Sequence, residues 1–382
     1  MIPTTRKQES TGKRAALYMA LELGWSQWKL AFTTGTGEKP RLQTIAARDL
    51  VGLQREISRA KVRFGLDDSV RVVSCYEAGR DGFWLHRYLE SIGVENRVVD
   101  SSSIEMNRRA RQAKSDGIDV GKLLSLLVRS ESGEERQPWS VVRVPSIEEE
   151  DARQLSRELE TLKQERTAHR NRLRSLLASQ GVDLKIGRDF QEKLQSAKLW
   201  DGSSLSEGLR SRLEREWDRM VLLEKQVADL ESRRKQMVSQ PQEAVAQVAR
   251  RMYQLKGIGL NSAWLFSGEF FAWRRFNNRR EVGALAGLAP TPYRSGDGVH
   301  REQGISRAGN ERVRCMAIEI AWGWLRFQPR SRLSLWFQER FGKSGSRSRR
   351  IGIVALARKL LVSLWRYLET GEVPDGAELK TI

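Results

Sequence analysis

Hydrophobic and polar positions alternate from the first ordered-looking stretch of the chain. In "ALYMALELGWSQWKLAF", Leu17, Met19, Leu21 and Leu23 are set against Tyr18, Ala20 and Glu22, and "SQWKLAF" alternates again. Period two marks half-buried strands. Two strands are therefore predicted across residues 16–33, followed past the turn "TTGTGEKP" by a third in "RLQTIAA". "RDLVGLQREISRAKVRFG" switches to helical spacing and "SVRVVSCYE" back to a β-rich run. "FWLHRYLESIG", "ENRVVD" and "KSDGIDVGKLL" then read as helix, strand and helix. In the last of these, helical periodicity puts Asp116 and Asp119 on the stripe that carries Val120, Leu123 and Leu127. Two like charges turned toward a core cost several kcal/mol unless compensated. A divalent cation is one compensation. A helix starting only at Asp119 would instead leave both acids as capping residues in solvent.

From Pro145 the pattern lengthens. Leu155, Leu159, Leu162, Arg166, His169, Leu173 and Leu176 step alternately by four and three, and Met220, Leu223, Val227, Leu230, Arg234 and Met237 do the same. These heptad seams predict two long helices, roughly Ser146 to Ala178 and Ser204 to Met237, forming an antiparallel or intermolecular coiled coil that drives association. "GVDLKIGRDFQEKLQSAKLWDGSS" interrupts them and forbids one continuous rod. After "SQPQEAVAQ", the stretch "LKGIGLNSAWLFSGEF" has the pattern of a helix-hairpin-helix. Its turn, with Lys256, Gly257 and Gly259, can offer backbone N–H groups to a phosphate, although Gly-x-Gly between helices is also a plain tight turn. "ALAGLAPTPYRSGDGVHREQGISRAGNERVR" reads as a loop-rich segment, and helices and a polar tail close the chain. Trp264, Trp322 and Trp324, at helical spacing in apolar runs, are expected in the core.

Charge narrows the partners. The 382 residues hold 67 Lys and Arg against 48 Asp and Glu, a formal net charge of +19. That excess points first to nucleic acid and second to an anionic membrane surface. "RRFNNRR", "SGSRSRR" and the N-terminal "MIPTTRKQESTGKR" cluster it in or beside loops. No apolar run is long enough to span a bilayer, and the N-terminus lacks the apolar core of a signal peptide, so a cytoplasmic location is expected. Only Cys75 and Cys315 are present, without a CxxC pair, which excludes a disulfide framework and a structural zinc site.

The order β-β-β-α-β-α-β-α resembles a ribonuclease H-like domain. Such a nuclease holds Mg²⁺ through acids on its first strand, near the end of its fourth and on a late helix, because the ion takes hard oxygen ligands. Glu22, Glu77 and the pair Asp116 and Asp119 stand at those four places. Singly, Glu22 also fits an exposed strand position and Glu77 a turn.

"YEAGRDGFWLHRYLESIG", "VVDSSSIE", "KSDGIDVGKLL", "LKGIG", "RRFNNRREVGALAGLAPTPYRSG" and "GISRAGNERVR" together resemble the DEDD-type insertion-sequence transposases and the related Piv/MooV DNA invertases. The resemblance runs from about Leu17 to the terminal helices. It implies an α/β plus α fold: a disordered basic arm over 1–15, a RuvC-like domain over 16–144, a coiled-coil region over 145–240, a mainly helical transposase domain over 241–370 and a tail over 371–382. It also implies recombination of an insertion element by a homo-oligomer acting on DNA, guided by an element-encoded bridge RNA. Carried over residue by residue, the acids are Glu22, Glu77, Asp116 and Asp119, binding Mg²⁺ or Mn²⁺. The nucleophile is Ser295, with Ser306 as the second candidate. Glu22 replaces the family's usual Asp, and Gly117 replaces its usual Arg within the helix motif. Arg294 or Arg301 would neutralise charge developing at a phosphodiester. Lys256, Gly257, Gly259, Arg279, Arg280, Arg294, Arg301 and Arg307 are the expected nucleic-acid contacts. Two rivals remain at this level: a Holliday-junction-resolvase-like metal nuclease using water, and a binding protein with a degraded site.

Overall fold

The structure is a computed structural model describing residues 15–100, 103–104, 116–133, 138–294 and 300–380, with the side chains of 116–119, 291–294 and 300–303 outside the description. It divides into two compact units, Met1–Val144 and Pro145–Ile382.

The first unit is a five-stranded mixed sheet. Strand β1 (Ala16–Leu23) pairs antiparallel with β2 (Gln27–Thr33), and β2 antiparallel with β3 (Arg41–Ala46). On its other side β1 runs parallel to β4 (Arg71–Glu77), and β4 parallel to β5 (Val94–Val99), giving the order β3-β2-β1-β4-β5. The predicted alternation sorts the side chains onto two faces. Leu17, Met19, Leu21, Trp28, Leu30 and Phe32 pack against helices α1 (Leu50–Arg63) and α2 (Trp84–Ser91) through Leu53, Ile57, Leu85 and Leu89. The opposite face carries Ala20, Ala31, Val73 and Cys75 under helix α3 (Asp116–Glu131), which contributes Val120, Leu123, Leu124 and Leu127. Small residues in the middle of that face let α3 lie close to the sheet. The helix begins at Asp116, three residues before the start that the capping alternative requires.

In the second unit, α4 (Ile147–Ala178) opens on a capping box between Ser146 and Glu149. Past the short α5 (Phe190–Ser196) the chain returns in α6 (Glu207–Ser239). The two long helices pair antiparallel within the chain. Ala152 and Leu155 cluster with Val238, Leu159 and Leu162 with Leu223 and Val227, and Leu173 and Leu177 with Leu213, Trp217 and Met220. Lys163–Glu231 (2.6 Å) and Arg172–Glu216 (2.7 Å) flank this seam, and His169 Nδ1 lies 2.6 Å from Glu216. The apolar heptads are thus spent on an internal partner.

The remaining chain forms α7 (Ala244–Tyr253), α8 (Leu260–Phe266) running into a π-helical turn (Ser267–Phe271), α9 (Arg279–Leu285), a hairpin of β6 (Pro290–Arg294) and β7 (His300–Ile305), then α10 (Glu311–Phe327), α11 (Arg332–Phe341) and α12 (Ser346–Thr370). Phe266, Phe270, Ala317, Trp324, Phe337, Leu356 and Leu360 share its core. Two expectations are corrected. The stretch read as loop contains the β6–β7 hairpin, because its Gly, Ser and Arg content hid a short antiparallel pairing. Trp322 is 44% exposed: Ala317, Ile320, Ala321 and Trp324 set the buried stripe of α10, and residue 322 falls 100° or more from its middle.

The π-helical turn presents Glu269, 1% exposed, to Arg157 of α4 (2.7 and 3.2 Å) and to Asn310, whose Nδ2 donates at 3.1 Å. Burial pushes the Glu269 carboxyl up, but the hydrogen bonds and charge of Arg157 outweigh it and hold the group below the usual carboxylate range. Arg157→Ala is expected to cost roughly 3 kcal/mol, because it strands a buried charge. A depressed folded-state pKa stabilises above the unfolded value, so this contribution is complete above about pH 5 and fades as pH falls through the folded pKa. Urea melts of both proteins at pH 7 and in acid measure it: the difference between them should shrink in acid.

Candidate active site

Register brings Glu22 and Glu77 together. Leu21 pairs with Tyr76 in the parallel ladder of β1 and β4, so Glu22 and Glu77 follow one step on, at the C-terminal ends of adjacent strands. Both share the α3 face, since Ala20 and Cys75, two residues earlier, lie beneath that helix. Glu22 is half-buried and sits opposite Lys29 of β2, while Glu77 is exposed. Burial, and after it the Glu77 charge, push the Cys75 thiol well above its ordinary pKa.

Helix α3 runs antiparallel to these strands. Glu131 at its end meets Arg71 at the start of β4 (3.0 Å), and the Leu123 carbonyl faces the Cys75 thiol (3.9 Å). Asp119 lies one turn before Leu123, about 6 Å along the helix axis. Glu77 lies two residues beyond Cys75, about 6.6 Å along the strand. The start of α3 therefore comes level with the two glutamates. The side chains of Asp116 and Asp119 fall outside the described set, and among the described residues no three His, Cys, Asp or Glu side chains converge.

The same end of the sheet carries a cationic cluster that sequence reading missed. Trp25, 68% exposed in the β1–β2 turn, has the Arg80 guanidinium 4.6 Å and the Arg48 guanidinium 5.5 Å from its ring centroid. Arg48 is held at φ 65°, a left-handed conformation that a non-glycine residue adopts at a cost of order 1 kcal/mol or more. Arg80 follows Glu77 by three residues, as Trp25 follows Glu22, a spacing visible in the sequence but without meaning until β1 and β4 are neighbours.

In the second unit, Ser295 lies outside the described residues, directly after the last residue of β6. In the hairpin ladder Arg294 is paired with His300 and Arg301 with Tyr293, adjacent pairs whose residues alternate between the two faces, and the side chains of both arginines are likewise undescribed. The base of this hairpin is locked by backbone. Ser306 N–H donates to the Ala289 carbonyl (2.8 Å), Arg307 N–H to Gly287 (3.1 Å) and Asn310 N–H to Leu285 (2.9 Å). A Cβ on Gly309 would come 2.3 Å from the Leu285 carbonyl oxygen, and one on Gly287 2.4 Å from that of Ala308, so both positions require glycine. Arg307 sits exposed in this lock at φ 55°, its carbonyl accepting from Arg314 (2.9 Å). Ser306 belongs to the lock through its own N–H.

The turn between α7 and α8 has the expected glycines, with Gly257 at φ 82° packed beside Phe327 and Gly259 preceding α8. Lys256, read as a phosphate contact, is ion-paired with Glu378, and the Lys380 ammonium donates to the carbonyls of Tyr253 (2.5 Å) and Ile258 (2.8 Å). Burial lowers Lys380 to about 8. Sequence could not show this, because the partners lie more than 120 residues downstream. Arg279 and Arg280 open α9 and are exposed.

Residues 249–335 match the model of the transposase IS116/IS110/IS902 family. The chain is 41% identical over 381 residues to y4rJ of Sinorhizobium fredii, a provisionally named transposase, covering 96% of this chain and 95% of that one. It is 28% identical over 283 residues to y4qE of the same organism, likewise a provisionally named transposase, covering 73% of this chain and 64% of the relative. Against the transposase for insertion sequence element IS1111A of Coxiella burnetii it is 24% identical over 240 residues, covering 62% and 64%. The chain belongs to this family of insertion-sequence transposases. No helix among the described residues is long and apolar enough to cross a membrane.

Proposed function

We propose that this chain cuts and rejoins the DNA of an insertion element through a divalent-metal site formed by Glu22, Glu77, Asp116 and Asp119 and a nucleophilic hydroxyl on Ser295. The observation that carries the reading is the register of β1 and β4, which sets Glu22 beside Glu77 on the face where α3 begins. The sheet order β3-β2-β1-β4-β5, antiparallel across β3-β2-β1 and parallel across β1-β4-β5, supports reading this unit as a RuvC-like, ribonuclease H-like domain. Carboxylate oxygens are the donors that Mg²⁺ or Mn²⁺ takes. Bound there, the ion would supply Lewis-acid stabilisation of charge on a phosphate oxygen. Lys29 stands opposite Glu22, and Arg48 and Arg80 at Trp25, the latter also 3.2 Å from Asp81, can attract the phosphate.

Ser295 then attacks phosphorus, an Oγ–P bond replaces one P–O bond to the sugar, and the freed hydroxyl can later reverse the exchange. The bond energy is conserved for rejoining. Arg294 or Arg301, one on each flanking strand, would meet the charge that builds on the phosphate. A non-coding RNA pairing with donor and target fits the excess of +19. Since α4 and α6 spend their apolar seams on each other, a homo-oligomer would form through other faces.

The test is denaturing electrophoresis of labelled element-end DNA after reaction with Mg²⁺. A protease-sensitive protein–DNA adduct supports the serine reading. Cleavage without an adduct makes water the nucleophile and favours a resolvase-like nuclease. Binding with neither outcome favours a degraded site.

A further inference from the structure

We propose that the cleft between α9, α12 and the start of β6 is a binding site for the phosphodiester backbone of a nucleic-acid strand, a role that deepens the proposed function and rests on it only for the identity of the strand. The cleft has a volume of about 760 Å³. Arg279 and Arg280 enter it from α9, and Arg358, Lys359 and Arg366 from α12. No carboxylate lines it, and among the described residues none pairs with these five cations. Glu281, the nearest acid along α9, is taken up by Asn277 and Asn278. Five cations gathered around one cleft repel one another, and an anion placed among them removes that cost.

The two helices present matching faces. Residues 279, 280, 283 and 284 recur at helical spacing on α9, as do 358, 359, 362, 363 and 366 on α12. Gly283 gives the cleft its width: a Cβ there would meet Cγ and Cδ of Arg358 at 3.3 and 3.2 Å, so the glycine lets the Arg358 stem lie flat while its head stays available. Ala284 and Ser363 keep the walls low. Lys359 rests on the Trp336 ring, 4.6 Å from its centroid, which fixes one cation in place. A narrow, apolar-floored cleft with cations on both walls suits a repeating anion better than a single small one.

Its position adds a purpose. Ala289 and Pro290 form one end of the cleft, and β6 runs from there to Arg294, about 13 Å at strand rise. A strand held in the cleft is thereby led toward the hairpin that carries Ser295. Arg279 and Arg280 stood out in the sequence as part of a basic run, whereas Arg358, Lys359 and Arg366 are spread along an amphipathic helix and join them only in the fold.

The experiment compares Arg280→Glu/Arg366→Glu with Arg215→Glu/Lys225→Glu, an equal charge change on exposed positions of α6. Affinities for labelled duplex DNA and for labelled single-stranded RNA are measured by anisotropy, in chelator so that no cleavage occurs, across a salt series. The cleft variant should lose at least about tenfold on one probe and flatten the log–log salt slope by about 1.8 on duplex DNA or about 1.4 on single-stranded RNA, since each phosphate contact contributes about 0.9 or about 0.7 respectively. The control should change little. The probe that suffers names the strand as DNA or RNA. Equal behaviour of the two variants on both probes overturns the proposal. If charge reversal lowers the melting temperature, Arg280→Ala/Arg366→Ala is read in the same assay, with a slope unchanged from wild type as the overturning result. Because chemistry is switched off, failure of the adduct test would sink the serine mechanism and leave this outcome standing.

Discussion

Asp119→Asn is expected to bind nucleic acid as wild type does and to cleave at least about a thousandfold more slowly. Asn keeps the shape of the side chain and removes its charge, which is the property a divalent cation needs. Loss of several kcal/mol of charge stabilisation at the phosphate corresponds to such a factor, at 1.36 kcal/mol per decade. Residue 119 sits within the first turns of α3, where trading an acid for Asn costs the helix only tenths of a kcal/mol, so melting should barely move. Anisotropy, melting and cleavage measured on one preparation separate the roles. Full activity in Asp119→Asn, or wild-type activity in excess chelator, would remove the metal site from consideration. Glu22→Asp, which shortens the reach by one methylene, should retain more activity than Glu22→Gln, because charge matters there more than length.

Ser295→Ala should abolish the covalent protein–DNA adduct while folding and binding normally. A serine hydroxyl is a weak nucleophile until its proton is taken or its oxygen activated. His300, the one histidine near it in sequence, opposes Arg294 in the hairpin ladder, and its side chain lies outside the described residues. Under the proposed function that activation comes from the acidic site. If serine and acids act as one unit, losing either should cost about as much as losing both, so Ser295→Ala/Asp119→Asn should fall no further than the worse single variant. Additive losses would mean two independent contributions. An adduct that survives Ser295→Ala and disappears in Ser306→Ala would move the nucleophile to the second serine. Ser306, the second candidate, donates its backbone N–H to the Ala289 carbonyl within the hairpin's base.

What the sequence disclosed follows from the range of each signal. Period-two alternation in Leu17, Met19 and Leu21, and heptads in Leu155, Leu159 and Leu162, are local, and the corresponding strands and helices are where the pattern put them. The neighbour relation of Glu22 and Glu77 needed the parallel pairing of β1 with β4, which order of elements could suggest but residue spacing could not. Whether the heptads faced each other or a second chain was open in the sequence; a connector with its own helix, α5, allowed α6 to fold back on α4. The β6–β7 hairpin was missed because its ends are fixed by distant carbonyls at Leu285, Gly287 and Ala289 rather than by strand-forming residues. Trp322 was misplaced because hydrophobicity was read without phase, and the Lys256–Glu378 ion pair escaped sequence reading because Glu378 lies far downstream. The site residues Asp116 and Asp119 rest on motif and backbone position, and Ser295, outside the described residues, rests on motif alone.

The backbone lock under the hairpin also decides how this protein can exchange parts with its relatives. Leu285 to Ala289 and Ser306 to Asn310 meet main chain to main chain, with Gly287 and Gly309 leaving no room for a side chain between them. Sixteen residues separate the two segments in the chain, yet they form a single module. A chimaera with y4rJ whose crossovers fall outside residues 285–310 would transplant both halves together, whereas a crossover at the hairpin tip would join halves that have never been selected against one another. If the tip contacts DNA as proposed, altering which DNA it meets is best attempted by grafting the whole 285–310 block, with its two close-packed glycines, and not by swapping the tip alone.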